Sequence, residues 1–450
     1  MVAITIAAGV FQVEAVACPF CNAVSQTLRQ EMAAMDAVVI GSSLQDASQR
    51  DIETGKVRMK VEHVLKGADL VQVGDEIEAI YYGEVELGRR FMLSGVDPPQ
   101  MQWSCLPVSP RAEEYLAKVS QLADDDLERL RFFYRFLQDE ETMLARDAYD
   151  EFAVAPYAAV KKLAPEMDHA QLVKWISDPE MPTDRRRLYL TMLGVCGDEK
   201  DLSMLEEMLR STSKSSRGGL DAMIACYLTL ANEKGLPLIN ELFLANKQAP
   251  YADTYQAIMA IRFHGTEGDV IPRSALVESL HHVLDRKDLA DLVIPDLARW
   301  NDWSQIDRLV ELFVNADPEN NWVRVPVVNY LRACPLEEAK AALKKVEEVD
   351  PESVRRANTF FTIPVPARDT GSSSSSVRRD TEDRLAVVLP APGAKGPPTA
   401  DARPFPAAAS LPVADAMNPW RLAYVMALAL CTFMIAQFLL LSGGPQPTSD

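Results

Sequence analysis

Cys18-Pro19-Phe20-Cys21 has the spacing of a dithiol centre. A thiol at a helix N-terminus is held as thiolate by the helix dipole, and a second cysteine nearby resolves the mixed disulfide. The residues that follow, Asn22 to Met32, have a helical composition. A dithiol oxidoreductase also needs a parallel strand just before the motif and βα units after it. Short antiparallel runs follow here instead. The expectation is therefore a structural disulfide drawn from Cys18, Cys21 and Cys105, with redox catalysis and a zinc-type metal site as the alternatives. Three cysteines leave one thiol over, and no cofactor is expected.

The remaining candidates are weaker. Cys196, Cys226 and Cys334 fall on apolar helix faces, where a thiol behaves as a small hydrophobe. His281 and His282 are adjacent and so do not share a helical face. His63, His169 and His264 are isolated. No Gly-rich phosphate loop, nucleophile elbow or paired-histidine zinc motif occurs. Asp124, Asp125 and Asp126 read as a helix N-cap, because no calcium-loop pattern follows them. Chemistry of this kind points to a non-catalytic chain.

The elements that carry these residues show two periods. From 36 to 106 the period is 2: Val57, Met59, Val61 and His63 alternate with Arg58, Lys60 and Glu62, and Ile77, Ala79 and Tyr81 with Glu76 and Glu78. Thr54-Gly55, Lys66-Gly67, Gly74-Asp75, Leu87-Gly88 and Asp97-Pro98-Pro99 punctuate the runs. The pattern predicts five short antiparallel strands closing into a small barrel, preceded by a helix over 23–35. Helices from Arg111 through Glu141, broken at the aspartates, lead onward. The barrel resembles the netrin-like, inhibitor-type variants of the OB barrel, in which N-terminal cysteines pin the leading segment. That resemblance, over 18–116, assigns the pinning role to Cys18, Cys21 and Cys105.

From about 150 the period becomes helical and repeats. First helices are predicted at Phe152–Ala164, Arg187–Gly197, Ala222–Asn232, Tyr255–Gly265, Leu292–Asn301 and Val325–Pro335. They end at Pro165, Gly197, Asn232, Gly265, Asn301 and Pro335, at steps of 32, 35, 33, 36 and 34 residues. Second amphipathic helices follow most turns, as at Asp201–Arg210, Gly235–Leu244 and Ser304–Phe313. Two helices per unit of about 34 residues describe an α-solenoid. The six units resemble HEAT-type repeats, and the resemblance implies a protein-binding scaffold.

Charge and the chain ends complete the reading. The net charge of −19 disfavours nucleic acid as a partner, since phosphates would be repelled. Residues 117–358 carry 30 basic and 42 acidic side chains, so an acidic helical surface is the expected partner face. Residues 1–17 resemble a signal peptide, apolar and ending Ala15-Val16-Ala17, though without a basic start. Residues 359–419, with Ser372–Ser376 and many Pro and Ala, read as a disordered tether. Leu422 to Leu441 is uncharged for twenty residues, enough to span a bilayer.

The expected organisation is thus 1–17 signal-like, 18–116 barrel, 117–149 connecting helices, 150–358 repeats, 359–419 linker, 420–441 transmembrane helix and 442–450 tail. The expected function is a non-catalytic interaction scaffold anchored in the membrane, its N-terminal domains exported to the cell envelope. The alternatives are an envelope thiol–disulfide oxidoreductase using Cys18 and Cys21, and a cytoplasmic tail-anchored adaptor.

Overall fold

The computed structural model describes residues 20–21, 25–46, 53–213, 217–317 and 321–360. The signal-like segment, Cys18, the tether beyond 360 and the span from Leu422 to Leu441 lie outside them. Among the described residues no helix is long and apolar enough to cross a membrane.

The first element is a short helix, α1 (Leu28–Ala34). It starts later than the sequence suggests because Thr27 stops it: the Thr27 hydroxyl accepts from the Gln30 N–H, and the Gln30 side chain accepts from the Thr27 N–H. Five strands follow, β1 (Ala37–Ser43), β2 (Lys56–Lys66), β3 (Glu76–Ile80), β4 (Arg90–Val96) and β5 (Gln102–Pro107). They pair antiparallel in the order β3-β2-β1-β4-β5.

All seven residues of the central strand β1 are buried, because its two faces serve two cores. Val38 and Ile40 join the core shared with the helices. Ala37 and Val39 point the other way, against Val57, Met59, Phe91 and Leu93 in the hollow of the curled sheet. That is the period of 2 read directly as two environments. The sheet stops short of the expected closed barrel. β3 and β5 are its edges and no backbone ladder joins them. They lie close together, and the Cys105 thiol donates to the Ile80 carbonyl oxygen across the seam at 3.2 Å.

Three helices connect the sheet to the array: α2 (Pro110–Val119), α3 (Asp126–Tyr134) and α4 (Thr142–Ala153). Ser109 caps α2, with Pro110 at its first position, and Asp125 caps α3 by accepting from the Glu128 N–H. The break at the aspartates is where the sequence places it.

Six helix pairs follow. They are α5 (Tyr157–Leu163) with α6 (His169–Ser177), α7 (Thr183–Cys196) with α8 (Leu202–Arg210), and α9 (Leu220–Ala231) with α10 (Leu236–Ile239). Then come α11 (Tyr251–Thr266) with α12 (Arg273–His281), α13 (Ala290–Arg299) with α14 (Ile306–Val314), and α15 (Arg324–Ala333) with α16 (Glu337–Val349). A last helix, α17 (Pro351–Phe360), packs on α15 and α16.

Within the array α7 stacks on α9, α9 on α11, and α13 on α15. The second helices cover them: α14 buries Ile306, Leu309, Val310 and Phe313, an i, i+3, i+4, i+7 stripe. Asn232 and Asn301, two of the expected turns, end α9 and α13 at φ of 57° and 59°. Asparagine tolerates that backbone better than other non-glycine residues. The first predicted helix is two in fact. Pro156 has no N–H to continue α4, so Phe152 and Ala153 end one helix and Tyr157 begins the next. Gly265 is also inside its helix, which runs on to Thr266. Side-chain bonds tie neighbouring units at the repeat distance. Arg187 meets Asp221 at 2.8 Å and Arg262 meets Asp296 at 2.7 Å, each 34 residues apart, and Arg217 pairs with Asp253 at 36.

Candidate functional site

The first helices of the early units do more than touch their neighbours. Tyr157 on α5 packs edge-on against Phe263 on α11, with ring centres 5.1 Å apart. Lys161 on α5 lies 4.0 Å from Asp269, just past α11. The first unit therefore meets the fourth, which an extended solenoid, with nearest-neighbour contacts alone, does not do. Small side chains make the close approach possible: Gly194 on α7 and Ala222, Ala225 and Thr229 on α9 line the inner surface.

Phe20 enters this inner surface. It is buried, with its ring centre 5.0 Å from that of Phe263, and it also borders Leu190, Gly194 and Cys226. Phe20, the one large apolar residue of the dithiol motif, thus packs on the inner surface of the array. Beside Phe20 a cavity of about 310 Å³ stays open, lined by Tyr157, Lys161, Thr229, Phe263, His264 and Asp269 among others.

Cys21 is buried too and is disulfide-bonded. Cys105, Cys196, Cys226 and Cys334 are free thiols, so the partner of Cys21 lies outside the described residues, as Cys18 does. The expected bridge through Cys105 is not made. Cys105 opposes Leu93 on β4 and faces the hollow of the sheet, whereas Cys21 belongs to the core on the helical side. Burial pushes the Cys105 thiol up to about 11, so it stays protonated and donates to Ile80. Helix α1 begins only after Thr27, so its N-terminus is not at Cys21. Among the described residues no group of three or more His, Cys, Asp or Glu side chains is placed to hold a metal ion.

A second buried polar cluster fixes the segment that carries Phe20. Asp147, Asp150 and Glu151 on α4 are all buried. Asp147 accepts the Leu28 N–H at 2.7 Å and the Tyr115 hydroxyl at 2.6 Å. Ser25 donates to Asp150 at 2.9 Å. Glu151 accepts from Arg29 at 3.3 Å, and Arg129 Nε lies 3.1 Å from its other oxygen, off the line of a hydrogen bond. Burial pushes the Asp147 carboxyl up to about 6, against the pull of its two hydrogen bonds, with Glu151 and Asp150 adding repulsion. The same burial, reinforced by Asp147, pushes the Tyr115 hydroxyl well above its usual range.

His264 is the odd member of the inner surface. It is 2 % exposed, and burial pushes its imidazole down to about 4. Its Nε2 lies 3.0 Å from the Ala225 carbonyl oxygen. A carbonyl only accepts, so Nε2 carries the proton and Nδ1 is a bare acceptor. Nδ1 has no hydrogen-bond partner. The other histidines with close partners are ordinary: His169 meets Asp201 at 2.9 Å and His281 meets Asp302 at 2.7 Å. Sequence alone marks neither His264 nor the α4 carboxylates. The signal for the latter is present: Asp147 and Glu151 lie four apart, next to the Leu144, Ala148, Phe152 stripe.

Comparison with protein-family models, curated proteins and solved structures finds no match for this chain.

Proposed function

We propose that this chain is a non-catalytic protein-interaction scaffold, held in the membrane of a cell envelope by the apolar run from Leu422 to Leu441. In this reading the curled sheet is an OB- or netrin-like module and the helix pairs are HEAT-like repeats. The observation that carries it is the burial of Phe20 and Cys21 against the array. A catalytic disulfide must be reached by the sulfur of its substrate, with the attacked cysteine's thiolate stabilised at a helix N-terminus. Here Cys21, at the resolving position, lies before no described helix N-terminus, since α1 starts only after Thr27. The disulfide acts as a clamp that holds the leading segment in place.

A partner would bind the outer helical surface, where acidic side chains dominate and a few aromatics stand out. Trp322 is 76 % exposed, and Tyr251 and Tyr255 stack in parallel on α11 with ring centres 6.4 Å apart. Exposed Trp and Tyr are the residue types that anchor protein interfaces. Neither nucleic acid nor a cofactor is part of the proposal.

The test uses the full chain purified from membranes. Photo-crosslinking from position 322 in cells should trap one protein partner, and alanine at Tyr251 and Tyr255 should weaken its capture. In parallel the Cys21 disulfide is offered a reduced protein substrate. Turnover of that substrate, unaffected by Cys105→Ser, would overturn the scaffold reading in favour of an oxidoreductase.

A further inference from the structure

We propose that the groove between β2 and α2 takes an extended segment of a partner protein, which adds to the sheet as a strand and carries a basic side chain. The first observation is an uncovered strand edge. β2 has eleven residues and β3 five, and β3 pairs only with Lys56 to Lys60. Backbone bonds of Val61 to Gly74 and Asp75 close that ladder. Beyond Val61 the strand has β1 as its one partner, and the connection from Gly67 to Val73 makes no backbone bond to Glu62–Lys66. A free edge is a template for a further strand, and proteins guard such edges with charge or a cover. Lys66, the lysine of this stretch, is turned away. Its ammonium donates to the Met32 and Ala33 carbonyl oxygens at the end of α1, at 3.1 and 2.7 Å.

The second observation is the groove beside that edge. A cavity of about 490 Å³ is lined by His63, Val64 and Leu65 of β2, by Ile40 of β1, and by α2. It touches three consecutive strand residues, whose side chains alternate between the two faces, so its wall includes the strand's main chain. The third is the chemistry of the walls. Ile40, Leu65 and Ala117 make an apolar floor, and Glu113 and Glu114 an acidic rim. Glu113 is already shared, with His63 Nε2 at 3.4 Å and Arg90 Nε at 3.6 Å. Glu114 is exposed and has no ion-pair or hydrogen-bond partner among the described residues. In an added strand, main-chain bonds supply the affinity and alternate side chains enter the groove. Two residues apart, the segment therefore carries an apolar side chain for the floor and a Lys or Arg for Glu114. The site uses other elements than Trp322 and the α11 tyrosines, and it stands whether or not those bind a partner.

The probe is the hexapeptide Thr-Leu-Thr-Lys-Thr-Val, amidated and labelled with fluorescein at its N-terminus. Binding is read by fluorescence anisotropy on the full chain in detergent. One control peptide has its backbone nitrogens methylated, and another has glutamate in place of lysine. Ala117→Arg fills the groove while keeping a good helix former in α2, and it also accounts for uptake by the micelle. The expected result is saturable binding to the wild type, roughly tenfold weaker binding of each control peptide, and loss of binding in Ala117→Arg. Glu114→Lys should reverse the preference between the lysine and glutamate peptides. Equal binding of the methylated peptide would rule out strand addition, and equal binding of the glutamate peptide would rule out the acidic rim as its selector. No binding at millimolar concentration, or binding that survives Ala117→Arg, would also overturn the proposal. So would dimerisation of the wild type that Ala117→Arg abolishes in sedimentation, since the groove would then belong to a second copy. Should Ala117→Arg fail to fold, the three peptides on the wild type decide alone.

Discussion

Two regions of this molecule bury polar groups, one in a network of several shared donors and one with a single contact. On α4 the three buried carboxylates take donors from Leu28, Tyr115, Ser25 and Arg29, with one Glu151 oxygen left beside Arg129 without a hydrogen bond. At His264 one ring nitrogen meets the Ala225 carbonyl and the other has no partner. A buried polar cluster whose members share several donors fixes structure, because moving any member strands another. A group that is left unmet is a cost that the surrounding packing has to carry. The first region therefore reads as a joint and the second as a point of tolerated strain.

The largest effect expected from breaking this contrast is at Glu151. Glu151→Ala removes the buried carboxylate that Arg29 and Arg129 share and leaves Arg129 the half-exposed Asp126 at 3.0 Å, so the cost falls at the lower end of the roughly 3–5 kcal/mol of breaking a buried ion pair. Denaturant melts of the full chain check this, and a cost below about 1 kcal/mol would show that the joint is not structural.

The next effect is a pH dependence that the two regions hide from each other. The Asp147 carboxyl is raised to about 6, so the folded state keeps its proton longer than the unfolded chain. Its contribution falls as pH rises from about 4 to 6. The His264 imidazole is lowered to about 4, so the unfolded chain takes up the proton first. Its contribution rises with pH over about 4 to 6.5. A tenfold change in proton affinity is worth about 1.4 kcal/mol, so each contribution amounts to roughly 3 kcal/mol. Opposed over nearly the same window, the two should leave these sites with little net pH dependence in the wild type. Asp147→Asn should expose the rise and His264→Phe the fall. Melts between pH 4 and 7 that show the same profile in both variants would refute the opposition.

How much of this contrast was legible in the sequence follows from the range of the interactions involved. Period 2 and period 3.6 are local, so β1 to β5 and the six helix pairs could be placed from Val57, Met59 and Val61 or from the turns at Asn232 and Asn301. The misplaced boundaries have local causes as well: Thr27 caps α1 late, and Pro156 divides the helix read through it. The contact of α5 with α11 is of another kind. It depends on how small residues such as Gly194 and Ala225 set the curvature over three units, and no single-unit pattern encodes that. No local pattern accordingly marks Phe20 as the residue that anchors the leading segment. The Arg–Asp ties could have been found, since Arg187 and Asp221 are separated by the repeat length itself. Cys105 was misassigned because spacing along the chain does not say on which side of a sheet a side chain points.

A smaller effect sharpens the role of that anchor. Phe20→Ala removes a buried ring worth roughly 2–3 kcal/mol. The loss should be confined to the leading segment and its contacts, with faster hydrogen exchange at Leu28 and Thr229 while exchange in α14 stays unchanged. Uniform acceleration through α14 would mean that Phe20 supports the whole array. The smallest effect is at Gly194, where alanine improves the backbone of α7 and meets only ordinary contacts. Gly194→Ala should stabilise by about 0.5–1 kcal/mol, read as a small rise in melting temperature.

The meeting of Tyr157 with Phe263 and of Lys161 with Asp269 also has a mechanical consequence. An open helical array behaves as a spring, because each unit flexes against its neighbours alone. Touching the first unit to the fourth adds a restraint beyond nearest-neighbour stacking, so that part of the array resists bending more than its last two units do. That is also where Pro295 interrupts the hydrogen bonding of α13. Tension applied along the array would extend the part from α13 to α16 first and leave the cavity around Phe20 undistorted.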